Sequence, residues 1–244
     1  MAIISGPQRW WIDSNPTFAA KQAVVQDNLL LNLDAGVSSS YSGSGSTWYN
    51  LTTGNNATKI GPTYSSSVGN GSFLFDGYND RFECGNVSGF STNRLTLEAW
   101  VRFTSLTGDD GDDSFIIQGG GSSLTFDFRT WSGNKVAFRI GGGLGSVLTI
   151  NTVSTNTWYH LVGTYDGSTL RFYLNNILQG TSSHTHSLGT QRNVQLGRYP
   201  YLNAPDEDAF QLNGYLSTVR IYNKALTATE VSQNFNVYKA RFGL

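Results

Sequence analysis

The clearest hydrophobic pattern in the chain is the strict alternation of LTLEAWVRF, residues 95–103. Leu97 and Val101 belong to its apolar face, whereas Glu98 and Trp100 belong to the other face. Successive side chains of a strand point to opposite sides of its sheet. The pattern therefore predicts a strand with one buried face and a second face that is a half-covered concave surface.

Short runs of similar character recur at regular spacing and predict an all-β protein. The first strand is predicted near Asn28, the next at 72–75 with its return strand at 81–84, and hairpin turns at Asp166-Gly167 and Asn175-Asn176. Further strands are predicted at 114–118, 124–129, 135–140, 146–150, 157–165, 169–174, 177–181, 193–198 and 210–222. About a dozen short strands indicate a two-sheet antiparallel jelly-roll sandwich.

The end of the chain breaks this pattern and predicts a short helix. Thr227 and Glu230 have the spacing of a capping box, in which each side chain bonds to the backbone N–H of the other residue. Val231, Phe235 and Tyr238 then follow at helical spacing. We therefore expect one amphipathic helix to close the fold.

Two segments lack strand alternation. Residues 38–56, SSSYSGSGSTWYNLTTGNN, are rich in turn formers and are predicted to be a surface loop. Residues 1–26 contain the adjacent Trp10 and Trp11. They form either a tail that folds back on the sandwich or an arm that anchors it to another protein through the two tryptophans. We divide the chain into this segment and one domain, 27–244.

Composition narrows the partners. Charged residues make up 14% of the chain and the net charge is −1, which argues against nucleic acid and anionic membranes. No apolar stretch has the length of a membrane span. The single cysteine, Cys84, excludes an intramolecular disulfide. The first residues lack the basic and apolar regions of a secretory signal, so we expect assembly in a cytoplasm.

Several motifs occur in the order found in laminin-G-like domains of the concanavalin A-like fold. They are LNLDAG (31–36), FDGYND (75–80), LTLEAWVRF (95–103), TWYHLVGTYDG (157–167), LRFYLNN (170–176), VQLGRY (194–199) and GYLSTVRIYNKALTATE (214–230). The chain resembles this family over about residues 28–244. The resemblance implies a jelly roll of a kind that serves both lectins and glycosidases.

A narrower resemblance links the chain to laminin-G-like structural proteins of tailed phages. It rests on the LDAG…YSGSGSTWYNLT opening, the FDGYND turn and the KARFGL ending. It implies a virion component, either a decoration, fiber or host-adhesion protein. Its partners would be capsid, tail or sister subunits in an oligomeric assembly, together with host glycans. The alternatives are a lectin module outside any virion and a polysaccharide-active glycosidase.

The carboxylates favour a protein that is not an enzyme. Glycosidases need two carboxyl groups about 5–10 Å apart. The four glutamates are Glu83, Glu98, Glu207 and Glu230, and none has an acidic residue two or four positions away within a predicted strand. Glu230 is assigned to the helix cap, and Glu98 matches a structural position of the family.

Two acidic loops are candidates for one structural calcium ion, with Asp109, Asp112, Asp206 and Asp208 as ligands. The alternative is that these loops are simply solvated. Relatives often bind calcium at an edge of the sandwich, where many have an aspartate at the position of Ser217.

Aromatic side chains outside the apolar alternation are candidates for stacking against sugars. With one amide side chain as a hydroxyl partner, the predicted glycan site comprises Trp48, Trp131, Tyr199, Tyr201 and Asn203. The alternative is that these rings cover the edges of the sheets.

Overall fold

The fold is a sandwich of two antiparallel sheets, here called sheet A and sheet B. A computed structural model describes residues 23–90, 93–107, 113–120, 124–149, 151–188, 192–199 and 210–244. Within these residues each sheet has eight strands. The apolar core lies between the sheets, and no helix of the described residues is long and apolar enough to cross a membrane.

Sheet A consists of β1 (Leu29–Asp34), β4 (Thr63–Ser65), β5 (Ser72–Asp76), β7 (Leu95–Phe103), β12 (Trp158–Tyr165), β13 (Thr169–Leu174), β14 (Ile177–Ser183) and β16 (Asn213–Tyr222). Its order is β14-β13-β12-β7-β16-β5-β4, and β1 also pairs with β16. The long strand β16 therefore pairs with β5 through its first half and with β1 through its second half.

Sheet B consists of β2 (Thr47–Trp48), β3 (Ala57–Ile60), β6 (Arg81–Val87), β8 (Phe115–Gly120), β9 (Leu124–Trp131), β10 (Lys135–Ile140), β11 (Gly145–Leu148) and β15 (Arg192–Leu196). Its order is β11-β10-β9-β8-β15-β6-β3-β2. Short 3₁₀ turns lie at Val68–Asn70, Gly141–Gly143 and Lys239–Phe242.

The predicted sandwich is confirmed, but the prediction that residues 38–56 form a surface loop is wrong in part. This segment contains β2, and its Trp48 and Tyr41 are buried rather than exposed. The Trp48 ring packs 4.8 Å from Phe73 and 5.0 Å from Phe82, measured between ring centroids. A polar segment thus contributes two large rings to the core.

The predicted helix is confirmed as α1 (Ala228–Tyr238). Its capping box is present, because Glu230 N–H donates to Thr227 Oγ1 at 3.3 Å and Thr227 N–H donates to Glu230 Oε2 at 2.9 Å. Each side chain satisfies a backbone donor that the first helical turn leaves without a partner. The helix therefore begins where the sequence predicts.

The second face of β7 is not a half-covered concave surface, which corrects the prediction. Glu98 and Trp100 are both fully buried. The Trp100 ring stacks on Phe242 at 4.2 Å and on His160 at 4.8 Å, and Phe235 of α1 lies 5.8 Å away. The helix and the chain end cover this face because they bring their own aromatic rings to it.

A buried polar network joins the helix to this face. Arg220 Nη1 donates to Glu98 Oε1 at 2.8 Å, and Asn234 Nδ2 donates to Glu98 Oε2 at 2.6 Å. His160 Nε2 lies 3.2 Å from Glu98 Oε1. Burial alone would raise the pKa of Glu98, but the Arg220 charge and the His160 contact hold that pKa at about 2. Glu98 is therefore an ionised structural anchor.

The residues just before the predicted boundary at 26/27 already belong to the sandwich. Val25 is buried, its N–H donates to Asn234 Oδ1 at 2.8 Å, and Ala23 O accepts from Gln233 Nε2 at 2.8 Å. The chain thus enters the described fold beside α1. Trp10 and Trp11 lie outside the described residues.

Candidate functional site

A line of polar side chains crosses the outer face of sheet B, in register from strand to strand. The pairs follow one another as Arg139↔Asp127, Asp127↔Gln118, Gln118↔Gln195, Gln195↔Glu83 and Glu83↔Thr58. We call these six residues the polar row. They come from β10, β9, β8, β15, β6 and β3, which are neighbours in the sheet. Strands β8, β9 and β10 follow one another along the chain, whereas β15, β6 and β3 come from other parts of it.

Alternation within each strand points these side chains away from the core. Ten of the twelve chain neighbours of the polar row, all except Lys59 and Gly119, are buried core residues: Ala57, Phe82, Cys84, Ile117, Phe126, Phe128, Phe138, Ile140, Val194 and Leu196. Because side chains two residues apart share a face, the polar residues between them lie on the opposite, outer face. The same rule places Arg129 and Trp131 on this outer face of β9.

Asp127 is the electrostatic centre of the polar row. Its side chain has no exposed surface, and its Oδ1 accepts from Arg129 Nε at 2.9 Å and from Arg139 Nε at 3.2 Å. Arg129 Nη1 also lies 3.7 Å from Asp113 Oδ2. A carboxylate can be buried when charged donors pair with it in this way. Asp127 therefore fixes both guanidinium groups on the outer face.

Gln118, next to Asp127, has an unused acceptor. The residue is 1% exposed, and its Nε2 donates to Gln195 Oε1 at 3.3 Å. Its Oε1 is buried and has no hydrogen-bond partner among the described residues. Leaving such an acceptor without a donor costs about 1–3 kcal/mol, so the position is unfavourable for stability alone.

Exposure increases along the polar row from Asp127 to Thr58. Asp127 and Gln118 are buried, Gln195 is half-buried, the Glu83 side chain is 42% exposed and Thr58 is exposed. Arg139, the first residue of the row, is half-buried and is held by Asp127. Glu83 Oε1 accepts from Arg81 Nε at 2.9 Å. We call the least exposed part of the row, at β9 and β8, its closed end and the part at β6 and β3 its open end.

Aromatic rings flank the closed end. The Arg129 guanidinium carbon lies 4.0 Å from the centroid of the Phe115 ring and 6.0 Å from that of Trp131. The Phe115 ring in turn packs 5.1 Å from Tyr199. Of the predicted glycan-binding residues, Trp131 thus lies beside Arg129 and Tyr199 packs on Phe115, and both are half-buried.

The other predicted glycan-binding residues are not brought to this face. Trp48 is a correction, because its ring is fully buried between Phe73 and Phe82 and offers no surface for a sugar. Tyr201 and Asn203 lie outside the described residues. Gln118 and Gln195 were not predicted as site residues. The signal that could have found them is that each is a polar residue among apolar neighbours in a strand.

The predicted calcium ligands, Asp109, Asp112, Asp206 and Asp208, also lie outside the described residues. Among the residues that the structure describes, no three His, Cys, Asp or Glu side chains are grouped closely enough to hold a metal ion. The calcium site therefore stays a prediction.

Around Ser217, which is buried on β16, an arginine takes up the available oxygens. Arg241 donates to Asp34 Oδ1 at 2.7 Å, to Gly69 O at 2.7 Å, to Gly71 O at 2.9 Å and to Ser217 Oγ at 2.7 Å. These oxygens already face a cation of the chain itself, so this group of oxygens does not fit an added metal ion.

The carboxylates of the polar row are poorly placed for acid–base chemistry. Asp127 and Glu83 lie on strands three steps apart in sheet B, or about 14 Å at a strand spacing of about 4.8 Å. Each is also paired with arginine. A set of amides, a hydroxyl and paired charges is suited to hydrogen bonding with a polyhydroxylated ligand.

Solved structures with this fold include domain 4 of AbnA, a GH43 extracellular arabinanase from Geobacillus stearothermophilus, in complex with arabinotriose. The two share a TM-score of 0.64 and 15% identity over 86% of this chain and 98% of that one. Trypanosoma rangeli sialidase has a TM-score of 0.64 and 17% identity over 87% of this chain, which spans 33% of the sialidase. A pentraxin from Limulus polyphemus has a TM-score of 0.51 and 16% identity, over 62% of this chain and 72% of the pentraxin.

At these identities the structural likeness shows the fold alone. No curated protein sequence matches the chain. The Laminin_G_3 family, described as the concanavalin A-like lectin/glucanases superfamily, matches residues 76–232. This match covers more than half of the chain and includes β7, β16 and the start of α1. The chain therefore belongs to the concanavalin A-like lectin/glucanases superfamily.

Proposed function

We propose that the chain is a non-enzymatic, lectin-like module that binds carbohydrate on the outer face of sheet B. The observation that carries this proposal is the polar row, with its buried Gln118 acceptor and with the half-buried Trp131 ring 5.7 Å from the guanidinium carbon of Arg139. Sugar sites combine a few fixed hydrogen-bonding groups with an apolar or aromatic wall. The likeness to an arabinanase domain that holds arabinotriose is consistent with a sugar ligand.

The state of the carboxylates supports binding without turnover. A glycosidase needs one carboxylic acid that can donate a proton and a second carboxylate that acts as base or nucleophile. In the polar row, Asp127 is buried between two arginines and Glu83 is paired with Arg81. Neither carboxylate is placed to exchange a proton with the other.

A glycan array followed by titration calorimetry tests the proposal. We expect binding to at least one glycan class, loss of affinity in Gln195→Ala, and no change in the control Asn236→Ala, which alters an exposed amide on α1. Reducing-sugar assays on soluble polysaccharides should detect no turnover. Absence of binding to every glycan would refute the module, and turnover would refute its non-enzymatic character.

We also propose that the module is a component of a phage virion, as a decoration, fiber or host-adhesion protein. The sequence resemblance supports this role. The adjacent Trp10 and Trp11, in the segment that precedes the sandwich, would be its anchor.

Mass spectrometry of purified particles tests this second proposal. We expect the chain to copurify with capsid or tail proteins, in several copies. Deleting residues 1–20 should leave a folded, soluble sandwich that no longer incorporates into particles. Normal incorporation of the shortened chain would refute the anchor, and absence of the full chain from particles would refute the virion role.

A further inference from the structure

We infer that the closed end of the polar row, at Gln118 and Gln195, is the primary subsite for an uncharged sugar residue of a glycan chain. The rest of that glycan would leave toward Glu83 and Thr58. This inference rests on the proposed carbohydrate-binding function and specifies its ligand class, its orientation and its specificity-determining residue. It is built on the hydrogen bonding, charge pairing and exposure of the described residues.

Gln118 has an acceptor that no described residue uses. An oxygen that is buried without a partner destabilises a fold, and a ligand or a bound water is one source of the missing donor. The Gln118 amide is oriented by the hydrogen bond from Nε2 to Gln195 Oε1, at 3.3 Å. That bond leaves Oε1 to accept from an O–H group, the donor that a sugar offers in abundance.

The charges of the arginines in and next to the polar row are balanced by carboxylates. The three arginines in or next to the polar row each have a carboxylate partner: Arg139 and Arg129 share Asp127, Arg129 approaches Asp113, and Arg81 pairs with Glu83. Three cations therefore face three anions. A carboxylated or sulfated sugar would need a cation without such a partner, so this balance favours an uncharged ligand.

The exposure of the polar row gives the ligand a direction. Side-chain exposure increases from Gln118 through Gln195 and Glu83 to Thr58, over three strand-to-strand steps or about 14 Å. A ligand bound at Gln118 has the buried ion pair of Asp127 and Arg129 on one side and increasingly exposed polar side chains toward β6 and β3 on the other. The site therefore suits one terminal residue of a short chain, with weaker contacts for the residues that follow.

The test compares Gln118→Met with Gln179→Met. Both replace a buried glutamine with a side chain of similar length. The control, Gln179 on β14, accepts from Asn151 N–H at 3.0 Å, is 2% exposed and lies in sheet A. Melting temperature is measured for each variant. Titration calorimetry uses arabinose, arabinotriose, cellotriose, xylotriose and sialyllactose as probes.

We expect the wild type to bind at least one neutral trisaccharide more tightly than arabinose, and to bind sialyllactose no better than arabinose. Gln118→Met should weaken binding of the neutral trisaccharide about tenfold, the equivalent of one hydrogen bond. Its melting temperature should be unchanged or raised, because the substitution removes an acceptor that has no donor. Gln179→Met should lower the melting temperature and leave affinity unchanged.

Each other outcome has a definite meaning. A lower melting temperature with unchanged affinity in Gln118→Met would make Gln118 a structural residue, satisfied by water, and overturn the inference. A preference for sialyllactose would overturn the uncharged ligand while leaving carbohydrate binding intact. If none of the probes binds but the array finds a ligand that Gln195→Ala weakens and Gln118→Met does not, the subsite is wrong. If no glycan binds at all, both this inference and the proposed carbohydrate-binding function are wrong.

Discussion

Asp80 provides a sharp test of the electrostatics of the fold. It closes the FDGYND turn, where its Oδ2 accepts from Asp76 N–H at 3.0 Å, and it is 6% exposed. Gly61, at φ +93°, packs so closely against Oδ1 that a Cβ would find no room. Burial, together with the nearby Asp76 carboxylate, raises the pKa of Asp80 to about 6. We predict that Asp80→Asn stabilises the protein at neutral pH.

The magnitude follows from the difference between the folded and unfolded pKa values. A pKa of about 6 against an ordinary value of 3.8 corresponds to about 3 kcal/mol, at about 1.4 kcal/mol for each pH unit. Because the folded pKa is raised, the folded state retains a proton that the unfolded state has released. Stability from Asp80 is therefore present below about pH 4 and is lost as pH rises through 6. The amide introduced by Asp80→Asn does not titrate, so the gain should reach about 1–3 kcal/mol at pH 7.5.

Urea unfolding followed by tryptophan fluorescence measures this gain at pH 4, 5, 6 and 7.5. The difference in free energy of unfolding between Asp80→Asn and wild type should increase with pH, which distinguishes the effect of Asp80 from that of other titrating groups. Asp76→Asn is the matched control, because it keeps Asp80 but removes the neighbouring charge, and it should give a smaller change of the same sign. A difference that is equal at pH 4 and pH 7.5, or a loss of stability at pH 7.5, would refute the reasoning.

Three further predictions test the helix, the buried ion pair and the calcium site. Thr227→Ala should cost about 1 kcal/mol in urea titrations through loss of the capping box, and a cost within error would contradict that role. Glu98→Gln should cost about 3–5 kcal/mol because it leaves Arg220 as a buried charge without its counter-ion. The pKa of Glu98 in the folded state is lowered to about 2, so its contribution to the free energy of unfolding is present above about pH 4.5 and is lost as pH falls toward 2. This pH dependence should be absent in Glu98→Gln. If an acidic loop binds calcium, millimolar calcium should raise the melting temperature relative to EDTA, and identical melting would remove the site.

The fold was predictable where strands carry a regular pattern. The alternation of 95–103 matches β7 (Leu95–Phe103), and the predictions for 169–174 and 135–140 match β13 and β10. The segment 38–65 was not predictable, because β2, β3 and β4 have only two to four residues each and show no period. There, burial is decided by tertiary packing of single rings such as Trp48.

The candidate site was less predictable than the fold, for a geometric reason. The polar row exists only through the register of six strands, and register between distant strands cannot be read from the sequence. The size of an aromatic residue does not tell whether it is core or surface, since Trp48 is core while Trp131 lies on the outer face. Gln118 and Gln195 carry no sequence motif, and only the alignment of strands in sheet B brings them together.

The outer faces of the two sheets are covered differently, and this difference is the reason why we place the proposed binding site on sheet B. Both faces have buried polar atoms without a described partner: Trp100 Nε1, His160 Nδ1 and Arg220 Nη2 on sheet A, and Gln118 Oε1 on sheet B. On sheet A these atoms are sealed beneath α1 and the chain end, whose rings stack on Trp100. On sheet B, Gln118 is followed in the polar row by side chains of increasing exposure, along which the proposed ligand would lie. A polar network that a helix seals contributes to structure, whereas one that opens to solvent through a graded row is available for recognition.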